Sequence, residues 1–216
     1  MEYIVYLDES VSEGEFFSDF YGGVVVSLQD YDYVRETINK TKEDLCLFHE
    51  IKWTKVTENY LDKYKAIIDV FFHLLYYQFV KHAFGFRYCN PEHESDVYLR
   101  LYFDRIPDTT RQNEEFKAHS IQQCMDIVLG AMAFRLNNLN KQKLPGTNKR
   151  GKRTIAKEKL YKHILSHIRQ LGYPHFNIGI STGTPNQESR WTTPYRHWSF
   201  TPHEFTIDEG KFKRHK

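Results

Sequence analysis

Apolar residues near the N-terminus occur in two short runs separated by a polar segment. Tyr3 to Leu7 is a continuous apolar run that stops at Asp8, and Phe16 to Ser27 is a second run of the same character. Residues 10–15 between them contain serine and glycine, which favour turns. This pattern predicts two antiparallel strands joined as a hairpin.

Farther along the chain, apolar residues recur at spacings of three and four, which predicts amphipathic helices. We expect four helices, over Asp30 to Leu45, Tyr60 to Leu75, Glu115 to Leu139 and Thr154 to Leu171. The third has the clearest buried stripe, formed by Ile121, Met125, Val128, Met132, Leu136 and Leu139.

Three more segments, Gln78 to Tyr88, Val97 to Asp104 and Phe176 to Ile180, have the apolar character of strands. The order of strands and helices predicts an α/β fold, in which helices pack on the faces of an open mixed sheet. We expect a single domain over residues 1–216. It carries a basic insertion at 141–159 and an aromatic C-terminal strap at 182–207.

The composition is that of an intracellular protein. The three cysteines are far apart and form no CxxC pair, so neither a disulfide framework nor a structural zinc site is indicated. The N-terminus lacks the features of a signal peptide, and the longest apolar stretch, Val70 to Val80, is much shorter than the roughly 20 residues of a membrane span. We therefore expect a cytoplasmic protein with no membrane partner.

Positive charge is concentrated in one segment, although the net charge is only +2. Residues 141–162 contain nine Lys or Arg and one acid, and such a segment is either a solvated loop or a site for phosphate groups. Cations and aromatic residues also alternate in the strap, which could stack unpaired bases or simply pin the tail to the core. The candidate nucleic-acid contacts are Lys149, Arg150, Lys152, Arg153, Arg190 and Arg196.

Four acidic residues lie at the ends of predicted strands or within apolar segments: Asp8, Glu50, Asp104 and Asp126. An acid at a strand end is more often a turn or cap residue than a catalyst. If the four converge, two ionised carboxylates ~4 Å apart repel by about 4 kcal/mol at an effective dielectric near 20. Such a cluster would need a bound cation, and its hard oxygen ligands suit Mg²⁺ or Mn²⁺.

Three motifs in this order resemble those of the bacterial and phage family known as domain of unknown function 3800. They are Leu7-Asp8-Glu9-Ser10, Glu50-Ile51-Lys52-Trp53 and the segment from Gln123 to Gly130, which has the pattern Gln-x-x-Asp-x-x-x-Gly. The resemblance covers about residues 1–140. Val11 departs from it, because the family usually has glycine at this position.

The resemblance implies a ribonuclease H-like fold and a phosphodiester-cleaving site with two metal ions. Asp8 would bridge both ions, Glu50 and Asp104 would hold one or each, and Asp126 would complete the set. Glu9 should point to the opposite face of the strand. Lys52 shares a face with Glu50 in an extended segment, where it either contacts a phosphate or forms an ion pair.

Gly130 lies in the middle of a predicted helix, where it costs about 1 kcal/mol relative to alanine. It suggests that something approaches the helix closely beside Asp126. Taken together, these features predict a divalent-metal-dependent nuclease acting on DNA or RNA, with a link to phage defence by analogy. The alternatives are a nucleic-acid-binding module without activity and a protein-interaction component, acting as a homodimer or with a partner protein.

Overall fold

The computed structural model of this chain describes residues 2–10, 14–82, 98–103, 119–177, 182 and 194–197. Within these ranges the strands are β1 (Glu2–Ser10), β2 (Phe20–Ser27) and β3 (Tyr98–Phe103). The helices are α1 (Tyr31–Asp44), α2 (Leu61–His82), α3 (Ser120–Leu136) and α4 (Lys152–Gln170). Short 3-10 turns occur at Leu28–Asp30, Trp53–Lys55, Glu58–Tyr60 and Leu139–Lys141.

β1 is the middle strand of the described sheet, whose order is β2-β1-β3. It pairs antiparallel with β2, with Asp8 opposite Gly22, and parallel with β3, with Leu7 opposite Phe103. A parallel neighbour requires a long crossover connection, and α1 and α2 lie in that connection. The predicted hairpin is confirmed, and β3 confirms the strand predicted over Val97 to Asp104 as far as Phe103.

α3 is the central helix of the core. It packs against β1, β2, α1, α2 and α4, and 13 of its 17 residues are buried. A helix surrounded in this way must be apolar or small on most sides, which the run from Gly130 to Ala133 satisfies. Of the predicted buried stripe, Ile121, Met125 and Met132 are buried and Val128 and Leu136 are partly buried. Leu139 is 39% exposed and lies beyond the end of the helix at Leu136.

Two strand predictions do not hold where they can be compared with the structure. α2 continues to His82, so the strand predicted from Gln78 is wrong over residues 78–82, and residues 83–88 lie outside the described ranges. A short apolar run does not by itself distinguish a strand from a buried helix. Phe176 and Asn177 are in no strand, and the remaining residues of that predicted strand are not described.

The architecture is a three-stranded mixed sheet with helices packed against it, which makes the fold α/β as predicted. A ribonuclease H-like fold remains a prediction. None of the helices in the described part of the chain combines the length and the apolar character that crossing a membrane requires.

Candidate functional site

Asp8 lies on the face of β1 that packs against α3. Side chains alternate along a strand, so Ile4, Tyr6 and Asp8 share one face, and Ile4 and Tyr6 are buried. The Tyr6 hydroxyl lies 3.3 Å from Nδ1 of His119, the residue that precedes α3. Glu9 is exposed, in agreement with its predicted position on the opposite face.

The pairing of Asp8 with Gly22 shows which part of α3 this face meets. A Cβ built at Gly22 would lie 3.2 Å from a methyl carbon of Leu129, and directly paired residues of a sheet point to the same side. Asp8 therefore faces the stretch of α3 between His119 and Leu129. Asp126 lies in this stretch, about one helical turn before Leu129.

Residues 50–53 run along α3 and are held there by two of its side chains. Oε1 of Gln123 accepts the backbone N–H of Ile51 at 3.3 Å, and Oδ2 of Asp126 accepts the backbone N–H of Trp53 at 2.9 Å. Both Ile51 and Trp53 are buried. The Gln-x-x-Asp spacing thus has a structural role, because it fastens the segment that carries Glu50 to the central helix.

Gly130 allows Trp53 to approach α3 closely. A Cβ built at Gly130 would lie 2.4 Å from Cγ and 2.5 Å from Cβ of Trp53, so a larger residue fits only if Trp53 or the helix shifts. The indole also makes an edge contact with Phe134, with ring centroids 5.4 Å apart. The close approach beside Asp126 that the sequence predicted is confirmed.

The hydroxyl of Tyr64 lies 3.4 Å from both the backbone N and the backbone O of Lys52, and the charges of Glu50 and Asp126 both act on it. Burial raises the pKa of Tyr64 above its ordinary value, and the charges of Asp126 and Glu50 raise this pKa further. The phenol is therefore protonated at neutral pH. We refer to Glu50, Tyr64 and Asp126 as the acidic cluster.

Glu50 forms ion pairs at the edge of this cluster. Nζ of Lys52 lies 3.0 Å from one carboxylate oxygen of Glu50, and Nζ of Lys55 lies 3.9 Å from the other. Of the two roles predicted for Lys52, the ion pair with Glu50 is therefore the one present in the structure. Both lysines are about half exposed, so they remain accessible to an anion.

Two further lysines are partly buried beside the acidic cluster. Lys42 donates a hydrogen bond to Oε1 of Gln123 at 2.8 Å, and Nζ of Lys157 lies 5.1 Å from the centre of the Trp53 ring. Burial lowers the pKa of each lysine. The charge of Glu50 offsets part of this effect at Lys42, as that of Asp126 does at Lys157. Among the described residues, four lysines therefore surround the two carboxylates of the cluster.

The ligand atoms of Asp8, Glu50 and Asp126 do not form a group within 4.8 Å of one another. Asp104, the fourth predicted ligand, lies outside the described residues. The residue before it, Phe103, is nevertheless the Cα partner of Leu7, which precedes Asp8. Of the predicted metal ligands, the structure thus places Glu50 and Asp126 in one region and Asp8 on the facing strand. The three carboxylates do not form a single coordination sphere.

A second candidate metal site lies between α2 and α4. Oδ1 of Asp69 is 2.6 Å from Nε2 of His163 and 2.6 Å from Nε2 of His167. Among the described residues, these three form the one group of His, Cys, Asp or Glu side chains whose ligand atoms all lie within 4.8 Å. We refer to Asp69, His163 and His167 as the Asp–His triad.

The sequence prediction missed this triad, although part of its signal is local. His163 and His167 are four residues apart on a predicted helix, which places both imidazoles on one face, and two histidines at this spacing are a known metal-binding pattern. Asp69 has no comparable signal, because it comes from another helix.

The basic segment divides into charges used within the fold and charges directed to solvent. Nη1 of Arg150 contacts the Glu158 carboxylate at 2.5 Å and the backbone oxygen of Asn140 at 2.9 Å. It therefore holds the loop to α4. Nζ of Lys152 lies 3.7 Å from a carboxylate oxygen of Glu58 but its side chain is 89% exposed. Lys149, in the loop before α4, and Arg153, on α4, are also exposed.

The aromatic strap is described only at Thr182 and at residues 194–197, where it is attached to the segment after α4. The Tyr173 hydroxyl donates to the backbone oxygen of Tyr195 at 2.7 Å, and Phe176 makes an edge contact with the Tyr195 ring. Arg196 lies in this attached segment and is partly buried. Arg190 lies outside the described residues.

Comparison of the chain with family models, with curated proteins and with solved structures yields no match.

Proposed function

We propose that this protein is a divalent-metal-dependent nuclease that hydrolyses phosphodiester bonds in DNA or RNA. Its site is formed where β1 faces α3, with Asp8, Glu50 and Asp126 as acidic groups. Asp104, outside the described residues, is the fourth member. The proposal includes a ribonuclease H-like fold, since a mixed sheet flanked by helices is the architecture that the resemblance implies.

The observation that carries the proposal is the position of Asp8 relative to Asp126. Asp8 is on the central strand beside Gly22, whose added Cβ would meet Leu129, three residues after Asp126 on α3. Asp126 is hydrogen-bonded to the segment that begins with Glu50. Three acids that are distant in the sequence therefore border one interface between a strand and a helix.

The donor set fits Mg²⁺ or Mn²⁺ in its chemistry, because all three residues offer carboxylate oxygens. To share an ion, the side chains would have to move closer together, and Glu50 would have to leave its ion pair with Lys52. Metal ions at such a site activate the attacking water and stabilise the leaving oxygen.

The remaining residues of the site would bind the substrate backbone. Lys52 and Lys55 are accessible cations next to Glu50, and they would hold phosphate groups by charge attraction. Once Lys52 binds a phosphate, the Glu50 carboxylate is released from its ion pair. The protonated Tyr64 hydroxyl would donate a hydrogen bond to an oxygen bound between Glu50 and Asp126.

The test is cleavage of labelled single-stranded DNA, double-stranded DNA and RNA with Mn²⁺, Mg²⁺ or a chelator. We compare the wild type with Asp8→Asn and Asp126→Asn. Asparagine can still accept the backbone N–H of Trp53, so Asp126→Asn keeps this contact while removing the charge. Loss of one ligand should reduce the cleavage rate at least about 100-fold, the scale at which single catalytic groups act.

Asp62→Asn is the matched control, because the Asp62 side chain on α2 is 95% exposed. This variant should cleave at the wild-type rate. Equal cleavage by the wild type and by both site variants would contradict the proposal. So would cleavage that persists in the presence of the chelator.

A second candidate function is binding of nucleic acid without hydrolysis. This function is favoured because both carboxylates already have contacts within the protein: Asp126 accepts the backbone N–H of Trp53, and Glu50 is paired with Lys52. In this case affinity for nucleic acid would be the same with chelator and with Mn²⁺. Replacing Lys52 and Lys55 with Gln would weaken binding and reduce its salt dependence, and Asp126→Asn would leave binding intact.

A further inference from the structure

We propose that the Asp–His triad is a zinc site that links α2 to α4 and is independent of the acidic cluster. Its ligands are Oδ1 of Asp69 and the Nε2 atoms of His163 and His167. Two nitrogen donors and one carboxylate, with a further position open to water, form a ligand set that suits Zn²⁺. The same set is a poor match for Mg²⁺, which prefers oxygen ligands.

The geometry of the triad is close to that of a zinc site. In a tetrahedral site with bonds of about 2.0–2.1 Å, ligand atoms lie about 3.3 Å apart. Oδ1 of Asp69 now lies 2.6 Å from each Nε2 atom. The carboxylate therefore has to withdraw by less than about 1 Å to admit the ion, which is a small change for a side chain at the surface.

The imidazole rings are already held in position. The ring of His167 is stacked on Phe72 of α2, with centroids 5.0 Å apart and planes 6° from parallel. The ring of His163 is nearly perpendicular to that of His167, at 88° with centroids 5.0 Å apart. Fixed rings lose little freedom on binding, which favours affinity.

All three side chains of the triad are accessible to solvent in part. The side chain of Asp69 is 49% exposed, while those of His163 and His167 are 25% and 20% exposed. A zinc ion would thus keep water as its remaining ligand. A ligating Nε2 atom would present its lone pair to the ion, so zinc binding selects the imidazole form whose ring proton is on Nδ1.

The site would act as a cross-link within the fold. Asp69 is separated from the two histidines by 94 and 98 residues, and α2 packs against α4. Because the ion binds the folded arrangement of these helices and not the unfolded chain, it would stabilise the protein. Lys157, which borders the acidic cluster, lies six residues before His163 on α4, or about 9 Å along the helix axis.

The experiment is a calorimetric titration of the full-length, metal-stripped protein with Zn²⁺ alone, together with thermal unfolding at each zinc concentration. We expect one equivalent to bind to the wild type with a dissociation constant below about 1 μM. Zinc at a hundredfold excess over that constant should raise Tm by about 5–10 °C.

His163→Gln, His167→Gln and Asp69→Asn should each weaken zinc binding at least about 100-fold, more than the loss of an outer-shell partner causes. His175→Gln is the matched control, because His175 is an exposed histidine outside the triad, and it should bind like the wild type. Asp126→Asn should also bind zinc normally, so the outcome is separate from that of the proposed nuclease activity.

Circular dichroism of each variant checks that it is folded. The three substituted residues lie on two different helices. If one variant does not fold, zinc binding by the other two still tests the proposal. Equal zinc affinity in the wild type and in any folded triad variant would overturn the proposal, as would equal weakening by His175→Gln.

Discussion

The acidic cluster and the Asp–His triad are both candidate metal sites, but their ligand atoms are engaged in different ways. In the acidic cluster, Asp126 accepts a backbone N–H and Glu50 is paired with lysines. In the triad, the Nε2 atoms of His163 and His167 both contact the same oxygen of Asp69. The carboxylates of the acidic cluster are therefore engaged in contacts that hold the fold together. In the triad, a metal ion could replace the two contacts between the histidines and Asp69.

This difference shows that acidic residues in a motif and a ready coordination site are separate properties. Asp126 and Gln123 already hold Trp53 and Ile51 to α3, so the proposed hydrolysis would require the acidic cluster to rearrange around metal and substrate. The triad requires only a small opening. If the acidic cluster and the triad are independent, a substitution in one region leaves metal binding in the other unchanged.

The largest effect on stability is expected for Gly130→Ala. The added Cβ would lie 2.4 Å from Cγ of Trp53, and overpacking of this kind costs about 1–3 kcal/mol. Three atoms of Trp53 lie within 2.7 Å of the added Cβ, so we expect the upper end of this cost, about 3 kcal/mol. The gain in helix propensity is about 1 kcal/mol, which leaves a net loss of about 2 kcal/mol in the free energy of unfolding, measured by urea denaturation. Zinc affinity of the folded variant should not change.

Gly22→Ala is the control for this prediction, because the nearest atoms there are the ends of the Leu129 side chain at 3.2–3.3 Å. Its cost should be smaller. A Gly130→Ala variant more stable than the wild type would contradict the close contact between Trp53 and α3.

Asp126→Ala should have the next largest effect. It leaves the backbone N–H of Trp53 without its carboxylate acceptor, which costs about 1–3 kcal/mol when the group is buried. Asp126→Asn should cost less, since its amide oxygen can accept the same bond. Urea denaturation of both variants measures the difference, and equal stabilities would show that this hydrogen bond does not hold residues 50–53 in place.

A smaller effect of pH is expected at Glu158 on α4, the helix that borders both regions. Burial alone would raise the pKa of Glu158, but hydrogen bonding to Arg150 and the charges of Lys162 and Arg150 outweigh it and lower this pKa below the usual 4.5. The pair therefore adds stability above about pH 4.5, and that stability is lost as the pH falls through the lower, folded-state pKa.

Glu158→Gln should accordingly reduce the free energy of unfolding at pH 7 by up to about 1 kcal/mol and flatten its decline in acid. Chemical denaturation between pH 3 and pH 7 measures both changes. A variant with the same pH dependence as the wild type would show that the contact between Arg150 and Glu158 contributes little. Arg150 would then be available for nucleic acid, as the sequence first suggested.

The last prediction concerns the reactivity of the Cys124 thiol and involves no change in the free energy of unfolding. Burial raises the pKa of this thiol to about 12, although the charge of Lys42 offsets part of the rise. Because the thiolate is the reactive form, alkylation at pH 7.5 should be at least about 100-fold slower at Cys124 than at the exposed Cys46. Mass spectrometry of the peptides measures both rates, and similar rates would mean that α3 opens beside the acidic cluster.

Most of the regular structure could be predicted from the sequence because it depends on neighbouring residues. The strands of the hairpin, the strand before Asp104 and the helices α1, α3 and α4 follow from apolar spacing. The error at Gln78 arose because α2 extends further than its apolar pattern indicated. Gly130 was predicted to permit a close approach, and the structure identifies Trp53 as the residue that approaches.

The sequence by itself predicted the hairpin, the strand before Asp104, the four helices and the opposite faces of Asp8 and Glu9, since these depend on periodicity along a short segment. For Lys52 it left an ion pair with Glu50 and a phosphate contact as alternatives, and the structure contains the ion pair. The tertiary structure decided which atoms the acids contact and that Asp69 joins His163 and His167. Such contacts depend on how helices distant in the sequence pack against each other, and no local pattern of residues specifies that packing.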